Sequence, residues 1–228
     1  MSLSFKSAYM ASSKTPNWFV NNLIGGILLC IPIVNLIVLG YFVSYAKRAL
    51  IENDENLLPF SNVSEFFAKG CGAVIGSILL SIPFFMIAAI GFIAIMPLSG
   101  SSFDFSSLMF SMFAFQALII LLSSFMGLLF IIMVSLYSIS GKIVTMIDFQ
   151  SALSLISKNK NTLLYIIYYI LLCVIMTILC IILSITVIGI LFIPMISYQI
   201  TISLYNLTAQ YLRSSENFGS VVAQLSAD

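Results

Sequence analysis

Four side chains that can hydrogen-bond recur in helical register near the end of the sequence: Gln199, Ser203, Asn206 and Gln210, at i, i+4, i+7 and i+11. That spacing places them on one face of an α-helix. Tyr198, Thr201, Tyr205 and Thr208 add hydroxyl groups nearby. Neutral amides and hydroxyls on an otherwise apolar helix have two uses. They can line a polar cavity or path, or they can tie helices together, at about 0.6 kcal/mol per bond within a membrane. Asn21, Asn22, Asn35 and Gln116 are the amides that other segments offer as partners.

Most other chemistry is poorly supplied. Histidine is absent, which removes the commonest haem ligand and the usual general base, and with them Ser-His and His-Glu-x-x-His devices. The acidic residues are scattered, so no aspartyl pair is evident, and Asp54 with Glu55 reads as a solvated loop pair before metal ligands. Cys30, Cys71, Cys173 and Cys180 lie in apolar runs with no C-x-x-C spacing, as small buried hydrophobes do. No phosphate-binding G-x-x-x-x-G-K-[ST] loop occurs. The expectation is a protein that is not an enzyme and carries no catalytic residue, metal or cofactor. A formal net charge of +1 also gives no basic field for a nucleic-acid partner.

The elements that must position the stripe are set by composition. Of 228 residues, 61% are hydrophobic and 7% charged, against roughly 25% charged in a soluble domain. Several apolar runs exceed the ~18 residues of a membrane-spanning helix. They are continuous rather than alternating, which favours helices over a barrel. The fold class expected is an all-α polytopic membrane protein, one integral domain over residues 1–228.

In chain order, residues 2–14 fit a short amphipathic helix on the membrane surface or a frayed end. No apolar core of a cleaved signal precedes residue 16, so the first hydrophobic segment is expected to drive insertion. Thr15-Pro16 is a helix-start signal for an arm over residues 16–31, roughly 24 Å long. Pro32 breaks it. A second arm, 33–50, ends at Lys47-Arg48. Residues 51–69 read as an interfacial connector with a turn at Pro59 and a short helix through Phe66-Phe67.

A span over 70–96 follows, with Gly72 and Gly76 in GxxxG spacing for close packing and a kink expected at Pro83. A turn-rich loop at 97–105 contains Asp104. The next helix reaches Ser138. Residues 148–161 read as an interfacial helix capped by Asp148, with Phe149, Ala152, Leu153 and Ile156 on one face. A span over 162–185 opens with Tyr165, Tyr168 and Tyr169, as in an aromatic belt at headgroup level. The last helix, 190–213, contains Pro194, and a polar tail (214–228) is expected to be poorly ordered.

Charge then sets topology. If residues 18–48 turn back near Pro32, every basic residue falls on one side: Lys6, Lys14, Lys47, Arg48, Lys69, Lys142, Lys158, Lys160 and Arg213. The positive-inside rule makes that side cytoplasmic. This predicts six segments in three hairpins, both termini in the cytoplasm, and a first hairpin short enough to be re-entrant. A repeated phrase hints at duplicated hairpins: GGILLCIP ending at Pro32, GSILLSIP ending at Pro83, and a looser GILFIP ending at Pro194.

One stretch carries a family resemblance. It comprises Trp18, the glycine-rich run through Gly25-Gly26 to Ile31-Pro32, Gly40-Tyr41, Lys47-Arg48, Leu58-Pro59, and Phe66-Phe67 before Gly70. This pattern resembles the bacterial and archaeal membrane proteins catalogued as domain of unknown function 4013. Phe60 stands where a Trp often follows the Leu-Pro turn. The resemblance is specific over about the first third of the chain and implies a multi-pass protein of a prokaryotic cytoplasmic membrane. It brings no activity and no site residue. The function expected is a non-enzymatic structural, assembly or accessory module whose partners are the lipid bilayer, other membrane proteins or a second copy of itself. The alternative is a transporter or permease-like component for a neutral or peptide solute, using the stripe.

Overall fold

The computed structural model describes residues 3–10, 12–95 and 105–227. Of the expected loop at 97–105, residues 97–104 with Asp104 lie outside them, and Phe105 begins a helix. The described residues form helices joined by turns and short connectors, with no strand among them: α1 (Phe5–Met10), α2 (Trp18–Leu29), α3 (Asn35–Lys47), α4 (Val63–Ile95), α5 (Phe105–Ser140), α6 (Phe149–Ser157), α7 (Thr162–Ser184), α8 (Val187–Arg213) and α9 (Phe218–Ala227). They fall into two compact units, Met1–Gly76 with Ile131–Asp228, and Ser77–Phe130.

Among the described residues, three helical stretches are long and apolar enough to cross a membrane: Val63–Gly91, Phe113–Ser140 and Thr162–Ser184. They turn large apolar side chains outward, among them Phe85, Phe113, Leu163 and Ile181. A bilayer, not water, is the solvent that such surfaces suit. The two arms of residues 18–48 are shorter. With 12 and 13 residues in α2 and α3, each measures about 20 Å against a ~30 Å hydrocarbon core.

In the larger unit, α8 is the hub on which α1, α2, α3 and α7 all pack. Helices α2 and α8 meet at glycine. A Cβ on Gly26 would overlap the backbone of Met195, and one on Gly25 would overlap the Tyr198 ring. Helices α3 and α4 meet the same way, because a Cβ on Gly40 would strike the Phe66 carbonyl and one on Gly70 the Leu36 carbonyl. Aromatic rings fill the rest. Phe42 touches both Tyr198 and Tyr205, with ring centroids 5.3 and 5.8 Å away. The Gly72 and Gly76 faces seat Tyr137 and Met146 of the same unit, so this GxxxG serves packing within the unit. In the smaller unit, the Phe84 and Phe125 rings lie 6.2 Å apart. Ser81, Ser123 and Ser124 return their hydroxyls to carbonyls of their own helices, a common way to carry serine in an apolar helix.

Several expectations are corrected. The short connector helix and the following span are one helix: α4 runs unbroken through Gly70, where the absent side chain admits α3 and no chain break is needed. Pro32 lies in a turn at residues 30–34, while Pro83 and Pro194 are carried inside helices. The repeated Ile-Pro phrase therefore does not mark a common turn. Tyr165 is not a belt residue. It is 1% exposed and stacked flat on Tyr211, with centroids 4.2 Å apart. The buried face of α6 is Ala152 and Leu155, while Phe149 and Leu153 point outward. Its far end is pulled round by Ser215, whose hydroxyl donates to the Leu155 carbonyl. The tail forms α9 and buries Val221 and Leu225, an i, i+4 pair. Cys30 is exposed and the other three thiols are half-buried.

Candidate functional site

The stripe residues all lie on α8. Thr186 starts that helix by accepting from the Gly189 N–H at 2.9 Å, an N-cap. Ser203, Asn206 and Gln210 are buried and Gln199 is half-buried. The Ser203 hydroxyl donates to the Gln199 carbonyl at 3.0 Å and lies 3.5 Å from the Tyr9 carbonyl. The Gln210 amide donates to Asn206 Oδ1 at 3.2 Å, and its Oε1 accepts from the Ser4 N–H at 3.0 Å. The N-terminal segment thus lies along the stripe. Burial of Leu3 and Ala8 holds it there.

A neighbouring face of α8 is bonded to α7 and the turn before it. The Tyr165 hydroxyl pairs with Thr208 at 2.9 Å and Tyr211 with Thr162 at 3.0 Å. Asn159 Nδ2 donates to the Tyr211 carbonyl at 2.7 Å. Ser4, Tyr9, Asn159 and Thr162 are the partners that sequence reasoning missed. Asn159 follows α6 in the turn signal K-N-K-N, but nothing near Ser4 announces a partner 206 positions away. Of the partners that were proposed, Asn22 is fully buried beside α8 with neither amide atom bonded, and Asn35 Oδ1 is also unbonded. Gln116 is exposed on α5. The Tyr198 hydroxyl and Asn206 Nδ2 are likewise buried and unbonded.

A second polar place lies where α3 ends and α4 begins. Helix α3 closes in a π-helical turn, Arg48–Glu52, and Asn53 takes a left-handed φ of 55°, which Asn tolerates better than most residues. Asp54 accepts from the Asn56 N–H at 2.9 Å and pairs with Arg48. The backbone bond to Asn56, helped by the Arg48 charge, holds the Asp54 carboxyl below its ordinary range. Glu55 pairs with Lys14 and accepts from Ser7, and Thr15 accepts from the Leu57 N–H at 2.9 Å. Tyr41 accepts from the Leu58 N–H at 2.9 Å and stacks on Phe60. These bonds shape a crevice of about 400 Å³, lined by Lys47, Arg48, Glu52, Glu65 and Lys69 over a floor that includes Leu58, Pro59 and Phe66.

The fold and these two places define an all-helical protein with three helices long and apolar enough to cross a membrane, a bonded hub and a charged crevice at a helix end. The chain matches, over residues 24–188, the family described as "Protein of unknown function (DUF4013)", and it belongs to that family. No curated protein and no solved structure matches it. The matched stretch contains the whole crevice, with the basic pair and Leu58-Pro59, whereas the α8 stripe lies beyond it.

Proposed function

We propose that this chain is a non-enzymatic integral membrane module that supports assembly of lipids or other membrane proteins. The observation that carries this reading is how the α8 stripe is used. Ser203 and Gln210 bond back to Gln199 and Asn206 on α8 itself and outward to Tyr9 and Ser4 of the N-terminal segment, while Thr208 and Tyr211 bond to α7 and the turn before it. Polar groups committed to neighbouring helices act as glue. The absence of histidine supports the non-enzymatic part.

The finer membrane arrangement belongs to the same reading: six segments in three hairpins, in a bacterial cytoplasmic membrane, with both termini in the cytoplasm. Helices α2 and α3 supply the first hairpin, whose arms are short enough for it to be re-entrant. The outward Phe149 and Leu153 of α6 suit a helix lying in the interface. Ser4 bonds to Gln210 one turn before Ser214, which supports placing both termini on one side. Thiol labelling of Ser4→Cys and Ser214→Cys in oriented vesicles should report the same side, and opposite sides would refute the hairpins.

A permease-like component for a neutral or peptide solute is the second reading, favoured by the buried, unbonded groups of Asn22, Tyr198 and Asn206. Uptake of small neutral solutes and di- and tripeptides into proteoliposomes separates the two. The assembly reading expects no saturable flux. Saturable uptake that disappears in the Gln199→Leu/Asn206→Leu double variant would replace it with the permease.

A further inference from the structure

We infer that the crevice between α3 and α4 binds the headgroup of an aminophospholipid, a phosphate ester carrying a primary ammonium. The inference is independent of the α8 stripe and concerns different residues.

Charge comes first. Three cations line the crevice, Lys47, Arg48 and Lys69, with two carboxylates, Glu52 and Glu65. Arg48 is already engaged by Asp54, and Lys69 by Glu65. Lys47 is exposed and, among the described residues, has no carboxylate within ion-pair distance. Glu52 reaches Arg48 only loosely, at 3.6 Å, with 64% of its side chain exposed. Lys47 acts on Glu65 only from beyond ion-pair distance, so one cation and one carboxylate lack a close internal partner. A ligand bearing both charges satisfies both, whereas a purely anionic headgroup would meet Glu52 and Glu65.

Hydrogen-bonding capacity comes second. Ser44, Ser61 and Asn62 also line the crevice. The first turn of α4 begins at Val63, directly after Asn62, and carries Glu65; a helix start favours an anion, and the Glu65 carboxylate beside it favours the ammonium of the same headgroup. Carboxylates accept N–H bonds from a primary ammonium. A quaternary ammonium has no N–H to give, and this crevice holds no aromatic cage for one.

Depth comes third. The helix Val63–Gly91 is long and apolar enough to cross a membrane, and Glu65 and Lys69 stand in its first two turns, so the crevice falls at its charged end, the level of lipid headgroups. Leu58, Pro59 and Phe66 supply an apolar floor for the glycerol end. A volume of about 400 Å³ accommodates one phosphoethanolamine group.

The experiment is native mass spectrometry of the detergent-solubilised protein titrated with phosphatidylethanolamine, phosphatidylglycerol or phosphatidylcholine of identical acyl chains. Phosphatidylethanolamine is expected to be retained about tenfold better than either other lipid. Lys47→Ala and Glu52→Gln, both at exposed positions, should each erase that preference while leaving the thermal midpoint unchanged. Equal retention of all three lipids, a preference for phosphatidylglycerol, or a preference that survives both substitutions would overturn the proposal. A parallel arm with free glycerophosphoethanolamine distinguishes the source. Failure to displace lipid at equal concentration supports a bilayer ligand, and full displacement would assign the crevice to a soluble one and overturn the lipid assignment.

Discussion

The side-chain oxygen of Gln210 accepts a hydrogen bond from the backbone N–H of Ser4 at 3.0 Å. That bond joins the start of the described chain to the last turn of α8 and lays the N-terminal segment over a stripe of polar side chains. Nearby ties reinforce it. Lys14 pairs with Glu55, and Arg213 donates to Asn53. The N-terminal segment, the connector and the end of α8 are thus bonded at one end of the larger unit.

Replacing Gln210 by Leu removes the acceptor for Ser4 and the donor for Asn206. The expected loss is about 1–2 kcal/mol, since buried polar groups lose their partners. The N-terminal segment should loosen first, because α1 has only six residues and no independent helical stability. Limited trypsin digestion in detergent would show faster cleavage at Lys6 and Lys14 in the variant.

Gly40→Val tests the glycine contact between α3 and α4. A Cβ at that position meets the Phe66 carbonyl oxygen, a backbone atom that cannot rotate away. Overpacking of this kind costs about 1–3 kcal/mol. The control is Gly219→Ala on α9, where a Cβ meets nothing within 4 Å and better helix propensity should add up to about 1 kcal/mol. Thermal unfolding in detergent should lower the midpoint for the first variant and leave it unchanged or raised for the second.

The connector should respond to acid through Asp54. Its folded pKa lies below the ordinary value of 3.8, chiefly because the carboxylate accepts the Asn56 N–H, with Arg48 adding attraction. A depressed carboxyl pKa gives stability that is present above the unfolded value and lost as pH falls through the folded one. The gap in thermal midpoint between the wild type and Asp54→Asn should hold constant above about pH 5 and close on acidification below 3.8. A gap that does not change with pH would contradict the assignment.

Much of the architecture was legible because apolar length is a local signal. The helix end at Arg213, the Asp148 cap and the helix from Thr162 follow from cap residues and run length alone. Thr15 reads in sequence as the cap of an arm starting at Pro16, yet α2 starts at Trp18 after Asn17, and Thr15 accepts from the Leu57 N–H instead. What failed needed knowledge of neighbours. Gly70 looked like a boundary, yet its missing side chain lets Leu36 approach within an unbroken helix. Tyr165 sat where a belt residue would sit, but Tyr211 and Thr208, more than forty positions away, take it inside. The tail looked too polar to fold, though Val221 and Leu225 find a buried site. The stripe residues fall on one helix, α8, and two of their partners were missed, because Ser4 and Tyr9 belong to a segment that seemed to need only the membrane. The crevice was invisible for the same reason: Lys47, Glu52, Glu65 and Lys69 converge only once Asn53 reverses the chain.

The central claim is that the α8 stripe is spent inside the protein. It is tested most directly by thiol accessibility in proteoliposomes, with Cys30, Cys71, Cys173 and Cys180 first changed to Ala. Ser203→Cys and Asn206→Cys are then exposed to a charged, water-soluble thiol reagent. The account predicts no labelling at either position until the protein is denatured. Rapid labelling of both in the folded protein would mean that water reaches the stripe, and would contradict it.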